Sequence, residues 1–231
     1  EEIEDFILNF NLKKIIPNLE LANLFFNYGL TKNINFKKIF ILLLKHKLEI
    51  EDITFEELYH KTNKNLIIGV TNVSTNEFET WNYQNKPNMS VIDAVNISCN
   101  IPIIFNPIKI QQHYFVDGGL INNFPIDIFT SQELNNTIGI VCNNKYYHKF
   151  NNFLEYINNI IFSIITNSDS AKIKLYSNLA TIIYLDSNDH FLDFNLTQDE
   201  IKNKINYGYQ SATKFFNNKY KNIKIKRNNT F

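Results

Sequence analysis

Apolar and polar positions follow two periods along this chain, and the change of period divides it. In the first third the spacing is helical. Glu1-Glu2-Ile3-Glu4-Asp5-Phe6-Ile7 reads as a helix already under way, with acids in its first turn. The chain is therefore expected to be N-terminally incomplete. Asn18 to Tyr28 predicts an apolar-rich helix that stops at Gly29 as its C-terminal cap. Phe36 to Leu48 predicts a second, with a strongly apolar face. Thr54-Phe55-Glu56-Glu57 is a capping box and opens a third, Thr54 to Lys61.

Strands then take over. Leu66 to Val73 is rich in β-branched residues, and Glu77 to Tyr83 alternates apolar with polar, so the two are expected to pair as a hairpin. Ser90-Val91-Ile92-Asp93 starts a helix that must end before Pro102. Short strands are expected around Ile108 to Ile110 and Tyr114 to Val116, then at Thr137 to Cys142 and Thr181 to Leu185. Helical segments fill about Phe153 to Ser177. Thr197 to Glu200 is a second capping box, with a helix to about Phe216. Strands interleaved with helices predict an α/β layered domain.

Composition narrows the function. The 231 residues carry 23 basic and 23 acidic side chains, so no global basic surface exists and nucleic acid is a poor partner. Asn, Ile and Lys dominate and Arg227 is the single arginine, a skew that suits an A+T-rich coding sequence and devalues motifs built from those residues. Cys99 and Cys142 form neither a metal pattern nor a disulfide framework, which makes a reducing, intracellular setting the default. No apolar run reaches the roughly 20 residues of a membrane span. His46, His60, His113, His148 and His190 lack metal-ligand spacing and read as surface or hydrogen-bonded side chains. Lys37, Lys38, Lys45 and Lys47 around Phe40 to Leu44 could touch a membrane surface, but a solvated face on a core helix fits them better.

Asp117-Gly118-Gly119 is the sharpest chemical feature. A strand ends at Val116, an acid follows at once, and two glycines allow positive φ and a close approach by another group. Strand ends are where α/β enzymes keep catalytic groups, yet Asp-Gly is also a common turn dipeptide. Both readings stand on these three residues alone. Ser98 lies in a helical stretch without a nucleophile elbow and reads as structural. Asn122 and Asn123 are expected to order the loop after Asp117.

The surroundings decide between the readings. Asp93-Ala94-Val95-Asn96-Ile97-Ser98-Cys99-Asn100-Ile101-Pro102-Ile103-Ile104-Phe105-Asn106-Pro107 precedes His113-Tyr114-Phe115-Val116-Asp117-Gly118-Gly119-Leu120-Ile121-Asn122-Asn123-Phe124-Pro125. This resembles the patatin-like phospholipase family: a helix of the type A-x-x-x-S-x-x-I-P-x-x-F-x-P, a short hairpin, then Y-x-D-G-G-x-x-x-N-x-P. The resemblance is strong over residues 89–126 and diffuse elsewhere. It implies a three-layer α/β/α hydrolase domain that cleaves lipid acyl esters with a Ser–Asp dyad, with Asp117 as the acid and no cofactor. It implies a lipid or acyl-ester substrate, with peripheral contact to a membrane surface.

Two family elements have no counterpart here. The six glycines include no G-x-S-x-G pair and no Gly-rich oxyanion loop. Both would lie upstream of Glu1. Asn100 stands where a small residue usually precedes Ile-Pro. The expected organisation is a catalytic domain over residues 1–145, with a helical and strand extension over 146–231 packed on it. The alternative is an inactive remnant that binds lipid or a partner protein. The expected location is the cytoplasm or a peripheral membrane surface.

Overall fold

The computed structural model of the chain describes residues 2–9, 20–32, 34–144, 153–187 and 196–228. In order, its helices are α1 (Glu2–Asn9), α2 (Leu21–Asn27), α3 (Ile34–Leu48), α4 (Phe55–Thr62), α5 (Val91–Ser98), α6 (Gly119–Asn122), α7 (Ser131–Leu134), α8 (Phe153–Tyr176) and α9 (Gln198–Asn228). The strands are β1 (Gly29–Thr31), β2 (Ile68–Asn72), β3 (Glu77–Trp81), β4 (Ile103–Phe105), β5 (Ile108–Ile110), β6 (His113–Asp117), β7 (Ile138–Asn144) and β8 (Thr181–Ser187). Helices and strands interleave, so the fold belongs to the α/β class.

Two compact units share the chain. The first comprises Lys14–Pro125 and Asn152–Ala171; the second comprises Glu1–Lys13, Ile126–Asn151 and Lys172–Phe231.

The first unit is built on an antiparallel sheet in the order β3-β2-β6-β5. The expected hairpin forms, with Ile68 opposite Trp81 and Asn72 opposite Glu77. Asn72 starts its turn by accepting the Ser74 amide on its side-chain oxygen (3.1 Å). On one side of the sheet Ile68, Val70, Trp81 and Phe115 join Ile53, Phe55, Val91, Ala94 and Ile97 in a core. Trp81 meets the Phe115 ring edge-on at 5.1 Å and donates its indole N–H to Glu79 (2.8 Å), so its polar atom is satisfied while its body is buried.

Helix α5 covers this sheet because its apolar residues recur on one side, and Ser90 caps it by accepting the Asp93 amide (3.1 Å). Helix α4 opens with the predicted capping box: Glu57 N–H donates to Thr54 Oγ1 (3.2 Å) and Thr54 N–H to Glu57 Oε2 (2.8 Å). Helix α3 turns apolar residues inward, as a core helix with a solvated lysine face should. Leu44 packs on the core and Phe36 lies edge-on to Phe105.

A parallel pair, β1 with β4, completes this unit, and neither strand is expected from the sequence. It also corrects the reading of Gly29. Helix α2 stops at Tyr28, which takes the left-handed conformation (φ 63°) and returns its N–H to Leu24. Gly29 instead begins β1, where a Cβ would lie 2.4 Å from the Asn106 nitrogen and the Phe105 carbonyl carbon. A glycine is required there by contact with β4.

In the second unit β7 and β8 run parallel in full register, from Ile138 opposite Thr181 to Asn144 opposite Ser187. Thr197 and Glu200 form the second capping box. The helix behind it, α9, runs to Asn228 rather than to about Phe216. Among the described residues no helix is long and apolar enough to cross a membrane.

Candidate active site

Asp117 is the last residue of β6, the strand that lies beside β2 in the sheet, with Val70 as its partner. Its amide leaves the ladder and donates to the carbonyl of Asn100 (3.0 Å), just past the end of α5. The chain then turns directly into α6, with Gly118 at φ −62°. The corner is therefore a strand-to-helix junction rather than a hairpin turn, and neither glycine uses positive φ. Gly118 is needed for the other anticipated reason. A Cβ there would sit 2.5 Å from the carbonyl carbon and oxygen of Gly69, so two backbones touch.

The carboxylate is fixed by its own loop. Gly119 N–H donates to Asp117 Oδ1 at 2.7 Å. Among the described residues Oδ2 meets no hydrogen-bond donor, which leaves it open to a reacting proton. Burial lifts the Asp117 carboxyl to about 6, against a smaller downward pull from the Gly119 amide. Cys99 is its neighbour. Burial, and then the Asp117 charge, push that thiol up to about 11, so it stays protonated and is no nucleophile at neutral pH.

The other candidates sort around this corner. Asn122 is buried. Asn123 donates from Nδ2 to Asp169 Oδ2 (2.6 Å), 46 residues away on α8, and its side-chain oxygen lies close to Gly119. Asp169 is itself 9% exposed, and nothing local in the sequence links positions so far apart. Ser98 donates to the Gly69 carbonyl (2.8 Å) from within α5, a structural bond between helix and sheet. Asn100, fully buried, ties the chain just after α5 to the residue just after β4 by donating Nδ2–H to the Asn106 carbonyl (2.7 Å). Its size is used, which explains an amide where a smaller residue is usual.

No described histidine contacts Asp117. His113 lies at the far end of β6, and His46 and His60 are exposed. His148 and His190 fall outside the described residues. Among the described residues no group of three His, Cys, Asp or Glu side chains is arranged to hold a metal ion.

Comparison with known proteins bears on the same corner. A family model described as patatin-like phospholipase matches residues 1–130. A protein of Invertebrate iridescent virus 6 named as a probable lipid hydrolase is 42% identical over 76 residues, covering 33% of this chain and 26% of its own length. A protein of Acanthamoeba polyphaga mimivirus is 27% identical over 164 residues, covering 67% of this chain and 54% of its own. The chain thus spans about half or less of these relatives. VipD from Legionella pneumophila superposes with a TM-score of 0.46 at 17% identity, over 74% of this chain and 36% of that one.

Proposed function

Because the chain belongs to the patatin-like phospholipase family, we propose that it supplies the general base of a lipid acyl-ester hydrolase, with Asp117 as the acid of a Ser–Asp dyad. One observation carries this reading. A carboxylate at a strand end is gripped by one main-chain amide, keeps one oxygen free of hydrogen bonds among the described residues, and has its pKa lifted to about 6. A carboxylate gripped only to shape a turn has no use for such a lift. A base needs a pKa near its working pH, so that it is ionised yet still proton-hungry.

In this reading the serine belongs to a segment outside these 231 residues, since the sequence holds no G-x-S-x-G. As its oxygen attacks the ester carbonyl, Asp117 takes the hydroxyl proton directly. Backbone N–H groups of a Gly-rich loop, also outside the sequence, hold the oxyanion. Protonated Asp117 returns the proton to the leaving alcohol. Water then attacks the acyl-serine, Asp117 takes its proton and passes it to the serine oxygen as the fatty acid departs.

The substrate sits in a lipid phase, and the surface fits contact with one. Phe25 and Phe26 of α2 are 79% and 80% exposed, with Tyr28 beside them. Such unburied aromatics suit a bilayer interface better than α3 does, whose Phe36 and Leu44 pack inward.

The test is Asp117→Asn in the protein extended to include the serine. Asparagine still accepts from Gly119 but cannot take a proton. Lipid-ester turnover should fall by about 10²–10⁴ in kcat with no loss of melting temperature. In the unsubstituted enzyme kcat/KM should fall as pH drops below about 6. Retention of more than about a tenth of the activity rules out the dyad, since that loss lies below the range for a general base. An extended protein with no turnover at all points to the binding remnant.

A further inference from the structure

A cavity of about 430 Å³ opens in the first unit away from Asp117, a size typical of small-ligand sites. Lys32, Lys37 and Lys38 line it together with Ile41, Pro107 and Ile108. Its charges do not balance. Lys37 is paired with Asp93 of α5. Lys32 and Lys38 meet no carboxylate among the described residues. Two lysines without a carboxylate partner among the described residues therefore line a cavity whose wall is largely apolar, together with Asn96 and Asn106.

An occupant that satisfies this wall must be both negative and greasy. A bare anion would use the lysines and waste the apolar side; a neutral acyl chain would leave the lysines as they are. We propose that this cavity binds a single-chain anionic amphiphile, a fatty-acid anion, with its carboxylate at Lys32 and Lys38 and its chain along Ile41, Pro107 and Ile108. The carboxylate is what acyl-ester hydrolysis releases, so the identity of the amphiphile, though not the existence of the site, rests on the function proposed above. The site has a route to Asp117. Asn106 on its wall accepts from Asn100 Nδ2, and the Asn100 carbonyl holds the Asp117 amide. Two hydrogen bonds separate the occupant's wall from the acid.

The test is a titration of the purified chain with decanoate below its micelle concentration, followed by amide NMR shifts and melting temperature. Decanoate should shift the amides of Lys32, Asn96 and Asn106 and raise the melting temperature, as a ligand of the native state must. Lys32→Gln with Lys38→Gln should weaken binding about tenfold, the scale of two exposed ion pairs. Lys61→Gln with Lys64→Gln on and after α4 removes the same net charge and should leave binding unchanged. Any of four results overturns the proposal: no decanoate binding, equal loss in both double variants, equal affinity for decyltrimethylammonium, or equal affinity for inorganic phosphate. The first two remove the site, the third makes it merely apolar, and the fourth makes it a bare anion site. None involves turnover, so failure here and failure of the dyad at Asp117→Asn remain distinguishable.

Discussion

The four-stranded sheet and the β7–β8 pair are both built from strands of β-branched and aromatic residues, yet they end in different states. In the sheet, β2 is buried at four of its five positions, and the Trp81–Phe115 contact closes one side. In the pair, Val141, Ile182 and Ile183 are buried, while Ile138 and Ile140 are 55% and 61% exposed. Parallel strands are normally covered on both faces. β-Branched composition thus makes a strand in either place, but α5 and the hairpin make a core in only one. The difference matters for chemistry. A carboxyl lifted to about 6 needs a wall that keeps water away, and Asp117 ends a strand of the covered sheet.

This contrast can be broken by substitution. Trp81→Ala should cost about 3–5 kcal/mol in urea unfolding, the range for removing a buried aromatic, and it also leaves Glu79 without its indole donor. A cost under about 1 kcal/mol would mean that the sheet does not hold the unit together.

Asp117→Asn should act in the opposite direction. The folded carboxyl sits above its ordinary value, so between about pH 4 and 6 the native state binds more protons than the unfolded state. Wild-type stability must therefore fall as pH rises through that window and stay lower above it. The asparagine variant lacks this fall. It should be more stable than wild type at pH 8 by about 1–3 kcal/mol, and the gap should close below about pH 4. A variant less stable than wild type at pH 8 would show that the carboxylate is a structural ligand.

The smallest effect belongs to the open pair. Ile140→Ser should change stability by no more than about 0.5 kcal/mol, as exposed sites do. A loss of about 2 kcal/mol would place that face against a partner and erase the contrast.

Much of the site unit is legible in the sequence because its signals are local. The Thr54–Glu57 box, the hairpin after Leu66 and strand β5 all depend on neighbours within a few residues. The acid at Asp117 and the close approach at Gly118 follow from the motif. What escapes reading is non-local or unusual. Strands β1 and β4 are three residues each and exist only because they pair across the intervening helices. Ile103, at the start of β4, takes φ 71°, a region that costs a β-branched residue about 1–3 kcal/mol and that no propensity anticipates. The partnership of Asn123 with Asp169 has no sequence signal either. By contrast, Thr130 and Glu133 form a third capping box at α7 whose signal is present and passes unnoticed beside the motif.

The groups that place Asp117 have a bearing on inheritance. Its amide is held by a carbonyl, its carboxylate by an amide, and its strand by pairing with β2, while Gly118 lets one backbone rest on another at Gly69. Side-chain identity enters almost nowhere. This chain is dominated by Asn, Ile and Lys, and drift toward such a composition would rewrite side chains. Such drift cannot dislodge an acid whose position is written in peptide groups. Only the few residues where a Cβ is forbidden or a carboxylate is required stand outside that freedom. A lineage could therefore replace most of its surface and still pass on the same corner.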